Sequence, residues 1–163
     1  VRAIVLVDIT PGVTAEKAKA ITDFVNGPAS FPSFEELLQR TIEFNPTRSV
    51  SSLRRGILHN AVQLEDGSWV WRYARHRQVG PNAESNERAM QDRTALWDVI
   101  ERLTVPLLLV RGMRPQSVVD DDDEAELLRR LPSARVVHVE EAGHSVQGDA
   151  PLELARIIAD FVA

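Results

Sequence analysis

The sequence has no cysteine. That excludes disulfides, thiolate nucleophiles and cysteine-ligated zinc, and it suits a reducing compartment, so a cytoplasmic location is expected. No apolar run approaches the roughly 20 residues that span a bilayer, so no membrane segment is expected either. The chain opens without an initiator Met and without a signal-peptide layout: Val1-Arg2 leads through a brief apolar stretch to Asp8 and Pro11. Positive charge is scarce. Nineteen Lys and Arg against 24 Asp and Glu leave a net charge of -5, which argues against a nucleic-acid partner. His59, His76 and His138 are scattered without metal-ligand spacing. The acidic run Asp120 to Asp123 lacks the glycine and alternating ligands of a calcium loop. Ile9-Thr10-Pro11-Gly12-Val13 holds a single glycine, too few for a phosphate-binding loop after an early strand. No metal and no cofactor are expected.

What remains is an ordinary globular composition, 44% hydrophobic and 26% charged over 163 residues, enough for one proper core. Ala3 to Val7 is a continuous apolar run ending in Asp8, the pattern of a strand buried on both faces. Thr10-Pro11-Gly12 breaks it. Apolar residues at Ala18, Ile21, Phe24 and Val25 predict a helix over 14–25, ended by Gly27-Pro28. Ser33 and Glu36 have capping-box spacing for a helix running to about Phe44, and Leu53, Ile57 and Leu58 share one face of a helix over 51–61. Asp66-Gly67 between two alternating runs predicts a hairpin over 62–73. Residues 76–85 read as a loop and 87–103 as a long amphipathic helix.

The last third changes character. Residues 105–110 and 134–139 read as strands, 124–131 and 152–162 as helices. Strand, helix, strand, helix implies a parallel sheet with right-handed crossovers. Val136 to Pro151 places Gly143-His144 on a loop at a strand exit, followed by a helix with Pro151 near its start and Asp149 as its expected N-cap. A histidine there can work as a proton acceptor, since its charge changes near neutrality.

A lone buried strand, a mostly helical insertion and a β-α-β-α ending, in this order, resemble the C-terminal half of an α/β-hydrolase. The resemblance implies an α/β fold with a few-stranded parallel sheet, residues 1–13 and 96–163 as a partial core, and residues 14–95 as a helical cap holding the hairpin. It implies that Gly143-His144 is the triad histidine and that Val105 to Gly112 is the strand leading to the triad acid. In that family the nucleophile sits in G-x-S-x-G and precedes the acid and the histidine in the chain. No such motif occurs here. The nucleophile and the oxyanion-hole loop are therefore expected upstream of Val1, and the chain alone is expected to be inactive.

Two carboxylates compete for the acid. Ser117 stands where an Asp before Val-Val would be expected, and Asp120 follows three residues later. Asp8, at the end of the first strand, is the other candidate and is favoured. Either would orient the imidazole and stabilise the imidazolium. Trp69, Trp71 and Tyr73 alternate along the hairpin. They are read either as packing or, for Trp69 and Trp71 together with Phe34, as an apolar wall for a small nonpolar substrate. The expected function is hydrolysis of an ester-like or related bond with His144 as general base. The alternative is a non-catalytic module that binds a missing N-terminal half or a second copy of itself through an exposed sheet edge.

Overall fold

A computed structural model describes residues 1–73 and 95–163. The expected loop over 76–85 with His76, and the start of the helix expected from Glu87, lie outside the described residues. The chain divides into two compact units, residues 1–19 with 83–163 and residues 20–82.

The first unit is built on a three-stranded parallel sheet. β1 (Ile4–Val7) pairs with β5 (Leu107–Gly112), and β5 pairs with β6 (Arg135–Val139), in the order β1-β5-β6. The register sets Val7 beside Val110 and Gly112 beside Val139. As the middle strand, β5 is buried along its whole length, which is why its sequence shows no polar alternation before Arg111. A helical stretch α4 (residues 95–101) follows the gap. α5 (Asp121–Arg130) joins β5 to β6, and α6 (Val146–Asp149) and α7 (Pro151–Val162) end the chain. Leu108, Val110, Val139, Ala142, Val146 and Leu154 form the core between the sheet and the last helices, with Val5, Val7, Ile157 and Phe161 packed on it. Completely burying one such side chain is worth about 1.5–3 kcal/mol.

The second unit holds α1 (Lys19–Val25), β2 (Ser30–Phe31), α2 (Phe34–Phe44), α3 (Val50–Asn60), β3 (Ala61–Gln63) and β4 (Trp69–Trp71). The hairpin forms around Asp66-Gly67. Leu64 N–H donates to Ser68 O, Asp66 Oδ1 accepts from Ser68, and Gly67 takes a φ of 86°. Its strands are shorter than the 62–73 span suggests. β2 pairs antiparallel with the other edge of β4, in the order β2-β4-β3. A strand of two residues, set between Gly27-Pro28 and Pro32, is too short to show any period in the sequence. Phe31, Leu37, Leu38, Leu53, Ile57, Ala61 and Trp71 make the core of this unit.

Three helix starts differ from the sequence reading. Residues 14–18 form turns closed by Thr14, whose hydroxyl accepts from Lys17 N–H, and α1 begins at Lys19. α5 begins at Asp121, three residues early, because Asp120 and Asp123 cap it reciprocally. α7 has no side-chain cap, and the carboxylate of Asp149 is used elsewhere. Among the described residues no helix is long and apolar enough to cross a membrane.

Candidate functional site

The site lies at the carboxyl ends of β1, β5 and β6, where a parallel sheet opens its loops to one side. Asp8 follows β1 directly. Its N–H still bonds Val110 O at 2.8 Å, so the backbone is held to β5. It then turns to a φ of 47°, a left-handed conformation that Asp tolerates better than most residues. The turn sends its side chain into the interior, where it is fully buried. Strain of this kind persists only where the surroundings over-determine it, and here they do. Oδ1 accepts from Gly112 N–H at 2.9 Å and from Ser117 Oγ at 2.6 Å. Oδ2 accepts from Val118 N–H at 3.0 Å and lies 3.2 Å from Nδ1 of His144.

His144 comes from the other end of the sequence, on the loop after β6. That loop is laid across the end of β5. Met113 N–H bonds Val139 O at 3.1 Å, and Arg114 N–H bonds Ala142 O at 2.9 Å. Asp149, on α6, accepts Gly143 N–H at 3.0 Å and closes the loop from its far side. Val146 anchors the next turn in the core. The imidazole is left about a third exposed, with Nδ1 turned to a buried carboxylate. A carboxylate facing Nδ1 favours the tautomer with the proton on that atom, which leaves Nε2 as the ring nitrogen turned away from Asp8.

The other candidates take other tasks. Asp120 is the N-cap of α5, with its carboxylate 2.6 Å from Nζ of Lys17. Asp123 reaches the same ammonium at 2.8 Å. Burial would pull the Lys17 ammonium down, but the bonds and charges of Asp120 and Asp123 outweigh it and hold Lys17 above its ordinary value. Burial likewise pushes Asp120 up, and Lys17 with the Asp123 backbone more than reverses it. The structure thus gives the Asp120 carboxylate to a structural clamp and brings Asp8 to His144. Lys17 closes the loop after Asp8 onto α5, a link 106 residues apart in sequence that no local pattern announces.

His138 is on the surface, its Nε2 2.8 Å from Glu124. Glu124 also takes the buried guanidinium of Arg111 at 2.8 Å. Burial raises the Glu124 carboxyl, but Arg111 and His138 outweigh it and hold it below the ordinary range.

In the second unit, Phe34 and Trp69 meet edge-on with ring centroids 5.1 Å apart, both half-buried, and the Arg54 guanidinium lies over the Phe34 ring. Trp71 differs. It is 6% exposed and sits in that unit's core, edge-on to Phe24 and Phe31, where its ring serves as packing.

No family model matches the chain. Among curated proteins it is similar to the esterase Rv0045c of Mycobacterium tuberculosis, at 42% identity over 163 residues, covering 95% of this chain and 50% of that protein. It is also similar to the sn-1-specific diacylglycerol lipase ABHD11 of Xenopus laevis, at 28% identity over 171 residues, 99% of this chain and 50% of that protein. A solved structure of the Mycobacterium esterase superposes with a TM-score of 0.77 at 40% identity, covering 99% of this chain and 54% of that one. An α/β-hydrolase from Novosphingobium aromaticivorans superposes at 0.64 with 21% identity, covering 98% and 56%, a likeness of fold alone. The chain spans about half the length of the curated relatives it matches.

Proposed function

The chain belongs to the α/β-hydrolases, of whose fold it holds a part, and we propose that it carries the base and the acid of a hydrolytic triad for ester-like bonds. His144 is the general base and Asp8 the acid. The observation that carries this reading is the 3.2 Å approach of His144 Nδ1 to a buried Asp8 carboxylate, across 136 residues of sequence. A fully buried carboxylate is costly unless its charge is used and satisfied. This one is satisfied by three donors and aimed at an imidazole.

The reaction follows from the pair. A hydroxyl nucleophile gives its proton to Nε2 of His144 as it attacks the carbonyl carbon. Asp8 stabilises the imidazolium so formed without taking the proton. His144 then returns the proton to the leaving alkoxide, and in the second half activates water against the acyl intermediate. The nucleophile is not among the 163 residues in a G-x-S-x-G setting, so the triad is completed by a segment outside this sequence. The names of the two curated relatives, an esterase and a lipase, favour a serine nucleophile and a carboxylic ester over dehalogenase chemistry.

The test is complementation. The chain is co-expressed with the segment of a full-length esterase relative that carries G-x-S-x-G, and short-chain nitrophenyl esters are assayed. Turnover is expected from the combination and not from the chain alone, and His144→Ala should abolish it. Turnover that survives His144→Ala sinks the reading.

A second reading, a non-catalytic module, has its own support. β1 pairs only with β5 among the described strands. Over one face of β1 and β5 lies an apolar hollow of about 280 Å³ lined by Ile4, Leu6, Leu96, Val99, Leu103 and Leu107. Light scattering on the purified chain tests it: a stable self-assembled dimer with no complementation would favour this second reading.

A further inference from the structure

Asp8 has four partners, and three of them have an evident origin in the fold: the backbone N–H of Gly112 at the end of β5, the backbone N–H of Val118 in the loop between β5 and α5, and the imidazole of His144. The fourth, the hydroxyl of Ser117, makes the shortest contact of the four at 2.6 Å. That hydroxyl has one proton and two acceptors within reach, since Val119 O lies at 3.1 Å. A nearer, charged acceptor wins the proton, so Ser117 donates to Asp8. Val119 N–H in turn donates to Ser117 Oγ at 3.2 Å, which fixes the oxygen in place.

We infer that Ser117 is a positioning residue for the His144–Asp8 pair: by donating to Oδ1 it takes up part of the carboxylate's charge and limits how firmly Asp8 holds a proton on His144. The inference rests on the reading of His144 as a base paired with Asp8. A buried carboxylate distributes its charge among its donors, and each donor lost concentrates that charge on the rest. The two backbone donors survive every side-chain substitution except proline, which would also fix the backbone angle. Ser117 is the donor besides His144 that a substitution can remove. Without it, Oδ1 keeps one donor, the imidazolium is held more strongly, and His144 stays protonated to higher pH. A base already protonated at the working pH cannot accept another proton.

The other charged groups on the neighbouring elements are engaged in contacts of their own. Arg114 pairs with Glu141, Lys17 with Asp120 and Asp123, Arg111 with Asp121 and Glu124, and Asp149 takes Gly143 N–H. They stay constant in the experiment that follows.

The ring-proton signals of His144 are followed by NMR against pH in the 163-residue chain, for the wild type and for Ser117→Ala, Ser117→Cys, Ser117→Thr and Asp8→Asn. Ser117→Ala should move the His144 titration to higher pH by about half a unit, a fraction of what a direct charge contact does. Ser117→Cys, with a weak S–H donor, should move it the same way. Ser117→Thr keeps the hydroxyl and should stay with the wild type. Asp8→Asn should move it to lower pH. If Asp8→Asn shifts the titration but neither Ser117→Ala nor Ser117→Cys does, the role given to Ser117 is wrong while the pair stands. If Asp8→Asn leaves it in place, the pair itself is wrong. Should Ser117→Ala fail to fold, the Cys and Thr variants decide between the first two outcomes.

Discussion

Gly112 and Gly143 pass too close for a side chain on the first of them: a Cβ on Gly112 would sit 2.3 Å from the carbonyl oxygen of Gly143. The end of β5 and the loop carrying His144 are thereby in backbone contact. Gly112 also gives its N–H to Asp8. One residue lets the histidine loop approach and helps hold the carboxylate that meets it. Gly112→Ala should therefore cost about 1–3 kcal/mol, the usual range for overpacking a site that cannot give way. Its mark would be local: a lowered urea midpoint together with a shifted His144 ring signal. A variant as stable as wild type with an unchanged signal would show that the loop has more room than this geometry allows.

The clamp around Lys17 gives a second prediction. Asp123 is 5% exposed, and its carboxylate relies on Lys17 Nζ and the α5 cap. Lys17→Met leaves that carboxylate without its cation. Removing one partner of a buried pair costs about 3–5 kcal/mol. Lys17 is partly exposed, so water screens the loss and about 1–2 kcal/mol is expected. The double variant Lys17→Met with Asp123→Asn should recover part of it in denaturant unfolding. No recovery would mean that the two residues do not act as a pair.

The sheet and the histidine loop are legible in the sequence because each is carried by a local pattern: unbroken apolar runs in Ile4–Val7 and Leu107–Val110, and a Gly-His step between a strand and a Pro-started helix. The choice of acid is not, because it depends on which carboxylate the fold brings to His144. Asp8 and Asp120 are both strand-exit or loop carboxylates by pattern. What separates them is a hydrogen bond across 136 residues for the first and a helix cap for the second. The Asp-x-x-Asp spacing of Asp120 and Asp123 was a capping signal in plain view. Trp71 and Trp69 alternate in sequence and share one face of β4, yet Trp71 is core because Phe24 and Phe31 pack on it, while Trp69 meets only the half-buried Phe34 ring among the described aromatic contacts. β2, which brings Phe31, is two residues long and leaves no periodic trace in the sequence.

Acid should destabilise the first unit in a definite window. Glu124 and Asp120 both titrate below their ordinary values of 4.5 and 3.8 in the folded chain. A carboxyl lowered by folding contributes stability that is present above its unfolded value and is lost as pH falls through the folded one. Urea midpoints should therefore hold from neutrality to roughly pH 5 and fall below it. Glu124→Gln removes one of the two contributions. It should lower the neutral midpoint, since Arg111 loses a partner, and make the decline in acid shallower. An equally steep decline in that variant would assign the acid sensitivity to other carboxyls.

The two candidate acids can be separated by activity once the triad is complete. In the complemented enzyme, Asp8→Asn keeps the size of the side chain but replaces an acceptor by an amide. Facing Nδ1–H, that amide favours the wrong imidazole tautomer, and losses on the order of 10⁴ in kcat follow from such a change in a hydrolytic triad. Asp120→Asn alters only the cap of α5 and one bond to Lys17. Asn caps helices about as well as Asp, so stability should fall by less than about 1 kcal/mol, with kcat near wild type. Because Asp8 is also buried among donors, Asp8→Asn must be shown by circular dichroism and ester-analogue binding to retain its fold before its rate is read. A large loss of kcat in Asp120→Asn, with Asp8→Asn folded and active, would reverse the assignment of the acid. It would also require the loop from Met113 to Asp120 to rearrange in the completed enzyme, since the Asp120 carboxylate is now given to Lys17 and the helix cap.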